Sequence, residues 1–179
     1  MIYSLHNLEM SIQKVTRGDN SGLREIYNIL GGAIYTQSYF ITKDHYTAED
    51  VSQEVFIKIM KSAFQYKKGT NPKAWIMRIA KNSAIDKLRE KNMHNNKSLD
   101  DYIDHATYTK IQDKEKLDEK IDLTEEINKL DFDSQQIIVL HILVGLTFKE
   151  ISNYLNVPLG TITWKYKTII KEIKTRLIS

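Results

Sequence analysis

The sequence predicts an all-α protein in which two small helical units are joined by an acidic linker, the second unit being a helix-turn-helix. Three observations carry that prediction. Seven Gly and two Pro in 179 residues are too few for the turns that sandwiches, barrels or doubly wound sheets require. Apolar residues recur with a period near 3.6 on both sides of a polar middle, and no stretch calls for a strand. That middle, from Asn92 to about Asp122, holds Asn-Asn, Asp-Asp and alternating Lys, Asp and Glu with few apolar residues, as a linker would. The expected division is residues 1–91, linker 92–122 and residues 123–179.

Taken in order, the periodicity places helices at Leu8–Val15, Ser21–Thr42, Ala48–Phe64 and Pro72–Lys91. After the linker come Leu123–Lys129, Ser134–Val144, Phe148–Leu155 and Leu159–Leu177. Capping chemistry supports several starts. Thr47, with Asp50 three residues on, is placed to cap the third helix, because a hydroxyl accepts from first-turn amides and an early carboxylate suits the positive end of the dipole. Asn71 precedes Pro72, a proline whose missing N–H costs nothing at a first helical position, and Pro158 is read the same way. Thr147 and Glu150 make a capping box.

Composition closes several routes. Apolar residues make up 41% and charged residues 27%, so each half can bury a core. The absence of Cys excludes disulfides, thiolate zinc sites and cysteine nucleophiles, and a reducing cytoplasm is the expected compartment. Met1–Met10 contains no Lys or Arg and no sustained apolar run, so no secretory signal is expected. The longest nearly apolar stretch, Ile137–Leu146, is interrupted by His141 and too short to span a bilayer. No cofactor is expected.

The net charge of +3 conceals a pattern. Val51–Ser98 has 11 basic and 3 acidic residues, Leu99–Ser134 has 5 and 12, and Gln135–Ser179 has 6 and 2. Any one of these runs would be an ordinary solvated face; two basic blocks flanking an acidic connector point to two surfaces that meet nucleic acid.

Within the last block, Phe148, Ile151 and Leu155 share one face of a short helix, and Ile162, Tyr166, Ile169, Ile170, Ile173 and Leu177 share one face of the next. Opposite that core the second helix carries Thr161, Thr163, Trp164, Lys165, Lys167, Thr168 and Lys171. Short hydrogen-bonding side chains flanked by Lys suit a major groove, although helical hairpins with a solvated basic side are common.

In the first half, Val51, Val55, Phe56, Ile59, Met60 and Ala63 fall on one side of the third helix, the expected core side. Asp50, Gln53, Glu54, Ile57 and Lys61 form the opposite stripe, where Ile57 stands among polar residues as a contact for a partner helix. The next helix is apolar around most of its circumference, yet Arg78, Asn82 and Arg89 share a narrow sector with Lys81 beside it. The basic loop Tyr66–Asn71 precedes it, with an aromatic ring to receive an unstacked base.

These segments in order, AEDVSQEVFIKIM, AWIMRIAKNSAIDKLR, the linker and LTFKEISNYLNVPLGTITWKYK, resemble the two conserved regions of extracytoplasmic-function sigma factors, the smallest bacterial sigma factors. The likeness covers nearly the whole chain outside the linker. It implies a first domain that binds the clamp helices of the RNA polymerase β′ subunit and melts and reads the minus-ten element. It implies a second domain that binds the β flap and reads the minus-thirty-five element as duplex. Carried over by position, Asp50, Gln53 and Phe56 match the family's AED-x-x-Q-x-x-F run, with Glu54 and Ile57 completing the clamp contact. Arg78, Lys81, Asn82 and Asp86 match its R-x-x-[RK]-N-x-x-x-D pattern beside the promoter strand, and the implied minus-ten surface adds Tyr66, Lys67, Lys68, Asn71, Trp75 and Arg89. An anti-sigma partner is common in that family, though no residue of this sequence encodes one.

One departure bears on specificity. The family's recognition helix usually resembles GTVKSRLxRAR; here it reads GTITWKYKTII, with Thr163, Trp164 and Thr168 in place of Lys, Ser and Arg. Two other readings compete. A stand-alone helix-turn-helix regulator would leave the stripe of Asp50, Gln53 and Ile57 without purpose. A metal-dependent hydrolase would draw on Asp100, Asp101, Asp104 and His105, but a single acidic cluster in a linker is far more often a solvated run, so catalysis is not expected.

Overall fold

Helix α1 (Ile2–Thr16) turns at Gly18 and runs back as α2 (Ser21–Thr42). The two cross most closely at Gly22, where a Cβ would lie 2.3 Å from the Ser11 carbonyl oxygen. The sequence thus spends a glycine where backbone must meet backbone. Helix α3 (His45–Ser62) continues as one 3-10 turn (Ala63–Gln65), and α4 (Pro72–Asn95) closes the first unit. The computed structural model from which these elements are taken describes residues 2–95 and 123–178. Leu8, Ile12, Ile26, Leu30, Ile34, Val51, Val55, Ile59, Ile76 and Met77 form the fully buried centre where the four helices meet.

The cap of α3 differs from the expectation. Asp44, not Thr47, is the N-cap: in extended backbone its carboxylate accepts from the Thr47 amide at 2.9 Å, so the helix starts three residues early and Thr47 lies inside its first turn. A carboxylate suits the positive helix end better than a hydroxyl. The turn before it is made by Lys43 in the left-handed region (φ 53°), whose N–H caps α2 on the Tyr39 carbonyl. Two expected core residues are also corrected. Phe56 is only half-buried and Met60 is 47% exposed, because they lie one helical step beyond Val55 and Ile59, at the margin of what α1 and α2 cover.

Asn71 caps α4 as expected, accepting from the Ala74 amide at 3.0 Å. The helix runs four residues past Lys91, so the start of the expected linker is helical. Helix-surface pairs Asp86–Arg89 and Lys87–Glu90 support this polar end, and Lys91 reaches back to Asp44 at 3.2 Å. The rest of the linker, with Asp100, Asp101, Asp104 and His105, lies outside the described residues.

The second unit comprises α5 (Leu123–Asn128), α6 (Phe132–Ile138), α7 (Phe148–Leu155) and α8 (Leu159–Ile178). Asp131 caps α6 on the Ser134 amide at 3.0 Å, two residues ahead of the expected start. The helix expected to reach Val144 instead ends in a π turn, Val139–Leu143, where the Val144 N–H bonds the Val139 carbonyl five residues back. His141 in that turn stacks on Phe148 at 4.4 Å and meets Tyr166 edge-on, with Nδ1 2.8 Å from the Leu146 carbonyl. The capping box of α7 is present in both directions, between Thr147 and Glu150. Asn156 ends α7 in the left-handed region (φ 56°), and α8 then begins at Leu159, which makes Pro158 the cap residue rather than the first helical one.

The two units pack together. One apolar cluster continues from α2 and α4 into Ile137, Leu140, Val144, Leu146, Ile151 and Tyr154, and Val139 joins Tyr39 and Phe40. The seam is otherwise polar. Lys73 Nζ donates to the Val144 carbonyl at 2.7 Å, Asn71 Nδ2 to Glu150 at 2.5 Å, and Lys43 Nζ to Gln135 Oε1 at 3.0 Å. Burial pushes the Lys43 ammonium down to about 8.

Candidate polymerase and nucleic-acid interfaces

Helix α3 presents the expected stripe to solvent. Asp50, Gln53 and Ile57 are exposed; Glu54 is half-buried and pairs with Lys58 at 2.8 Å. The apolar part is larger than one Ile. Ile57 (48% exposed), Met60 and Phe64 (70%) follow one another at i, i+3 and i+7, and Tyr27 of α2 lies against Phe56 with ring centroids 5.5 Å apart. Ile57 and Met60 on α3, with Phe64 in the 3-10 turn that follows, make an exposed apolar set, which is a docking surface in kind. Met60 and Phe64 were countable from the spacing, but assigning Met60 to the core hid the row. Tyr27 comes from another helix, beyond reach of that count.

On α4, Arg78, Asn82, Asp86 and Arg89 stand exposed along one side, and Lys81 beside them is half-buried. The preceding loop is ordered by its own bonds. Tyr66 donates its hydroxyl to the Thr70 carbonyl at 2.7 Å, Gly69 takes a positive φ of 82°, and its N–H meets Glu9 at 2.6 Å. The Tyr66 ring stands edge-on to the half-buried Trp75 at 5.5 Å, while Lys67 and Lys68 point outward. Next to it lies a depression of about 330 Å³ whose lining includes Gln13, Arg17, Phe64, Tyr66 and Lys68. Aromatic rings and cations around a hollow of this size suit an unstacked base. Gln13 and Arg17 were missed at the sequence level because α1 carries no local mark of its closeness to this loop.

The inner side of α4 faces the second unit. Burial lowers the ammonium pKa of Lys73 and of Lys81. The Lys81 ammonium and the Arg78 guanidinium both lie over the Tyr154 ring, at 5.8 and 5.7 Å from its centre. Burial pushes the Tyr154 phenol up to about 12, so its hydroxyl stays a donor, here to the Met77 carbonyl at 3.0 Å.

On α8, Ile162 and Ile169 are buried and Trp164 is 65% exposed on the other side. Thr161 and Thr163 are half-buried, and Thr163 donates to the Leu159 carbonyl at 2.9 Å. Lys165 is turned toward Asp133, 3.1 Å away, whereas Lys167, Thr168 and Lys171 are free in solvent. Lys174, absent from the expected set, lines a shallow groove with Lys167 and Lys171. Among the described residues no His, Asp and Glu group could hold a metal ion, and no helix is long and apolar enough to cross a membrane.

Comparison with known proteins shows what the chain is similar to. Residues 26–93 match the family described as sigma-70 region 2, a span that contains the α3 stripe and the α4 ridge. The ECF RNA polymerase sigma factor SigW of Bacillus subtilis is 27% identical over 171 residues, covering 87% of this chain and 88% of the relative. The ECF RNA polymerase sigma factor SigK of a Mycobacterium species (strain JLS) is 23% identical, covering 96% of this chain and 91% of the relative. Two solved structures share the fold: CnrH in complex with the cytosolic domain of CnrY (TM-score 0.66, 15% identity, 96% of this chain and 97% of that one), and RpoE of Bartonella quintana in complex with the anti-sigma factor NepR (TM-score 0.67, 19% identity, 88% and 97%). Region 2 thus falls on the helices that carry the exposed stripe and ridge, and over nearly its whole length the chain is similar to extracytoplasmic-function sigma factors of RNA polymerase.

Proposed function

We propose that residues 1–91 dock on core RNA polymerase through Asp50, Gln53, Glu54 and Ile57, extended by Met60 and Phe64, and engage the melted minus-ten strand along α4. Residues 123–179 bind the minus-thirty-five duplex through α8, and the intervening segment connects the two. One observation carries this reading: an exposed apolar set on α3 and the turn after it, and a basic ridge on α4, lie on neighbouring elements of a single unit. A stand-alone regulator needs only the second surface. An anti-sigma partner is part of the proposal through the likeness to RpoE, whose solved complex holds one. The test is run-off transcription with core polymerase on genomic fragments: discrete, chain-dependent transcripts support the reading, and their absence with a folded chain overturns it.

Within this reading, Arg78→Ala with Asn82→Ala impairs promoter opening more than first contact with duplex, because their ridge meets the unpaired strand. Permanganate reactivity of thymines is expected to fall several-fold while duplex affinity changes little; equal losses in both would place the ridge elsewhere. Both side chains are exposed, so little stability should be lost.

Trp164 carries a different expectation. Its exposed ring stands beside Thr161 and Thr163, suited to thymine methyls and sugar at the groove. Trp164→Ala is expected to reorder affinities among minus-thirty-five variants by about 1–3 kcal/mol at one or two positions. Lys167→Ala or Lys171→Ala should weaken all sequences alike and flatten the salt dependence. An unchanged ranking in competition binding would remove Trp164 from the reading face.

A further inference from the structure

The loop before α4 is pinned by a residue 60 positions earlier. Glu9 of α1 accepts from the Gly69 amide at 2.6 Å, a charge-assisted bond at a residue whose φ of 82° suits glycine alone. Inside the loop the Tyr66 hydroxyl donates to the Thr70 carbonyl, and the Thr70 hydroxyl and amide both donate to the Lys67 carbonyl, at 2.7 and 3.1 Å. Burial above all, with the Glu9 carboxylate adding to it, holds the Tyr66 phenol above its usual pKa, so its hydroxyl stays a donor. The shape of the loop is therefore set from α1 as well as from within.

One turn further along the same side of α1, Gln13 walls the hollow beside Tyr66, and Arg17 follows in the turn that ends the helix. The Gln13 side chain is half-buried, and among the described residues its amide has no hydrogen-bond partner and the Arg17 guanidinium has no ion-pair partner. Leu8 and Ile12, fully buried in the core, fix this stretch of α1, so the amide is presented from a rigid helix. An amide offers an acceptor and a donor side by side, the pattern that pairs with the edge of an unstacked base; a guanidinium at the rim suits its phosphate.

We propose that α1 is the second wall of the base site: Gln13 reads the hydrogen-bonding edge of a base turned into the hollow against Tyr66, and Glu9 is a positioning residue that touches no DNA and holds the loop forming the opposite wall. This rests on the sigma-factor reading, and adds to it a specificity-determining residue on a helix outside the α4 ridge. The Glu9 carboxylate repels a polyanion while it orders the loop, so its charge and its positioning act in opposite senses and can be separated.

The test offers the immobilised full chain a library of short random single-stranded DNA and sequences the bound fraction, with overall affinity read by anisotropy on the unselected library. Wild type should enrich one base about tenfold at one position, the discrimination of a well-made side-chain pair. Gln13→Ala should flatten that position and change overall affinity little. Gln13→Glu keeps an acceptor but loses the donor, and should move the enrichment to another base. Glu9→Gln keeps an acceptor for Gly69 and removes a charge, so it should bind the library more tightly with the preference intact. Glu9→Ala should also bind more tightly, but lose the preference and exchange the Gly69 amide hydrogen faster. No enrichment by wild type, or a preference that survives Gln13→Ala, overturns reading by Gln13; if Gln13→Ala loses helicity, an unmoved preference in Gln13→Glu does so. A wild-type preference in Glu9→Ala overturns positioning by Glu9. Enrichment as expected without run-off transcripts would instead overturn the sigma-factor reading and leave the α1 wall standing.

Discussion

Ile57→Glu combined with Met60→Glu is expected to lower affinity for core polymerase by on the order of a hundredfold, about 2–3 kcal/mol, with helicity and thermal midpoint nearly unchanged. Both side chains are about half exposed in the free chain, so the carboxylates cost the fold little. At a helix-on-helix contact the same carboxylates would be buried without partners, and that desolvation makes the effect large. Asp50→Ala with Gln53→Ala should act in the same direction and more weakly, because these residues sit at the polar rim. Pull-down or surface binding with purified core polymerase measures both. Wild-type affinity for the glutamate pair would remove the α3 row from the polymerase contact and leave Phe64 and Tyr27 exposed for some other reason.

Gly22→Ala is expected to destabilise the first unit by about 2–4 kcal/mol, the range for forcing atoms into a packed contact, and to lower the thermal midpoint by roughly 10 °C. The new Cβ would fall 2.3 Å from the Ser11 carbonyl oxygen, 2.9 Å from a Val15 methyl and 3.0 Å from Lys14 Cβ. Since the first obstacle is backbone, α1 must move away from α2, and Leu8 and Ile12 leave the core with it. Gly32→Ala is the control. It lies in the same helix with nothing within 4 Å of its would-be Cβ, and should stabilise by about 0.5–1 kcal/mol through the entropy of the unfolded chain. Calorimetry that ranks the two the other way would contradict the packing of α1 on α2.

Local chemistry made much of this legible before any coordinates. Helices α2 and α7 have the expected bounds, and the Thr147–Glu150 box and the Asn71 cap form because each needs only residues three positions apart. The Asp44 cap was masked by a second good candidate three residues later; only the extended backbone after Lys43 decides between them. Met60 and Phe56 show the limit of angular counting, since period fixes direction but not how far neighbouring helices extend. The ridge residues Arg78, Asn82 and Arg89 were legible as charges on an otherwise apolar helix. Their relation to Tyr154 was not, because a polar seam between distant segments leaves no periodic trace in either. The hollow beside Tyr66 likewise draws Gln13 and Arg17 from a helix some fifty residues away.

The π turn at Val139–Leu143 has a consequence for how this chain can vary in length. Its wider coil holds one more residue than an α-helical path would, and Val144, Leu146 and the whole helix-turn-helix follow in phase from it. Were the same residues wound as plain α-helix instead, the one in excess would turn everything downstream by roughly 100° about its axis. Tyr154 would then swing off Arg78 and Lys81, and Lys73 would lose the Val144 carbonyl. Five residues therefore act as a phase setting for the second half of the molecule: a relative whose units pack in the same way should either keep this wider turn or be one residue shorter and wind the segment as plain α-helix.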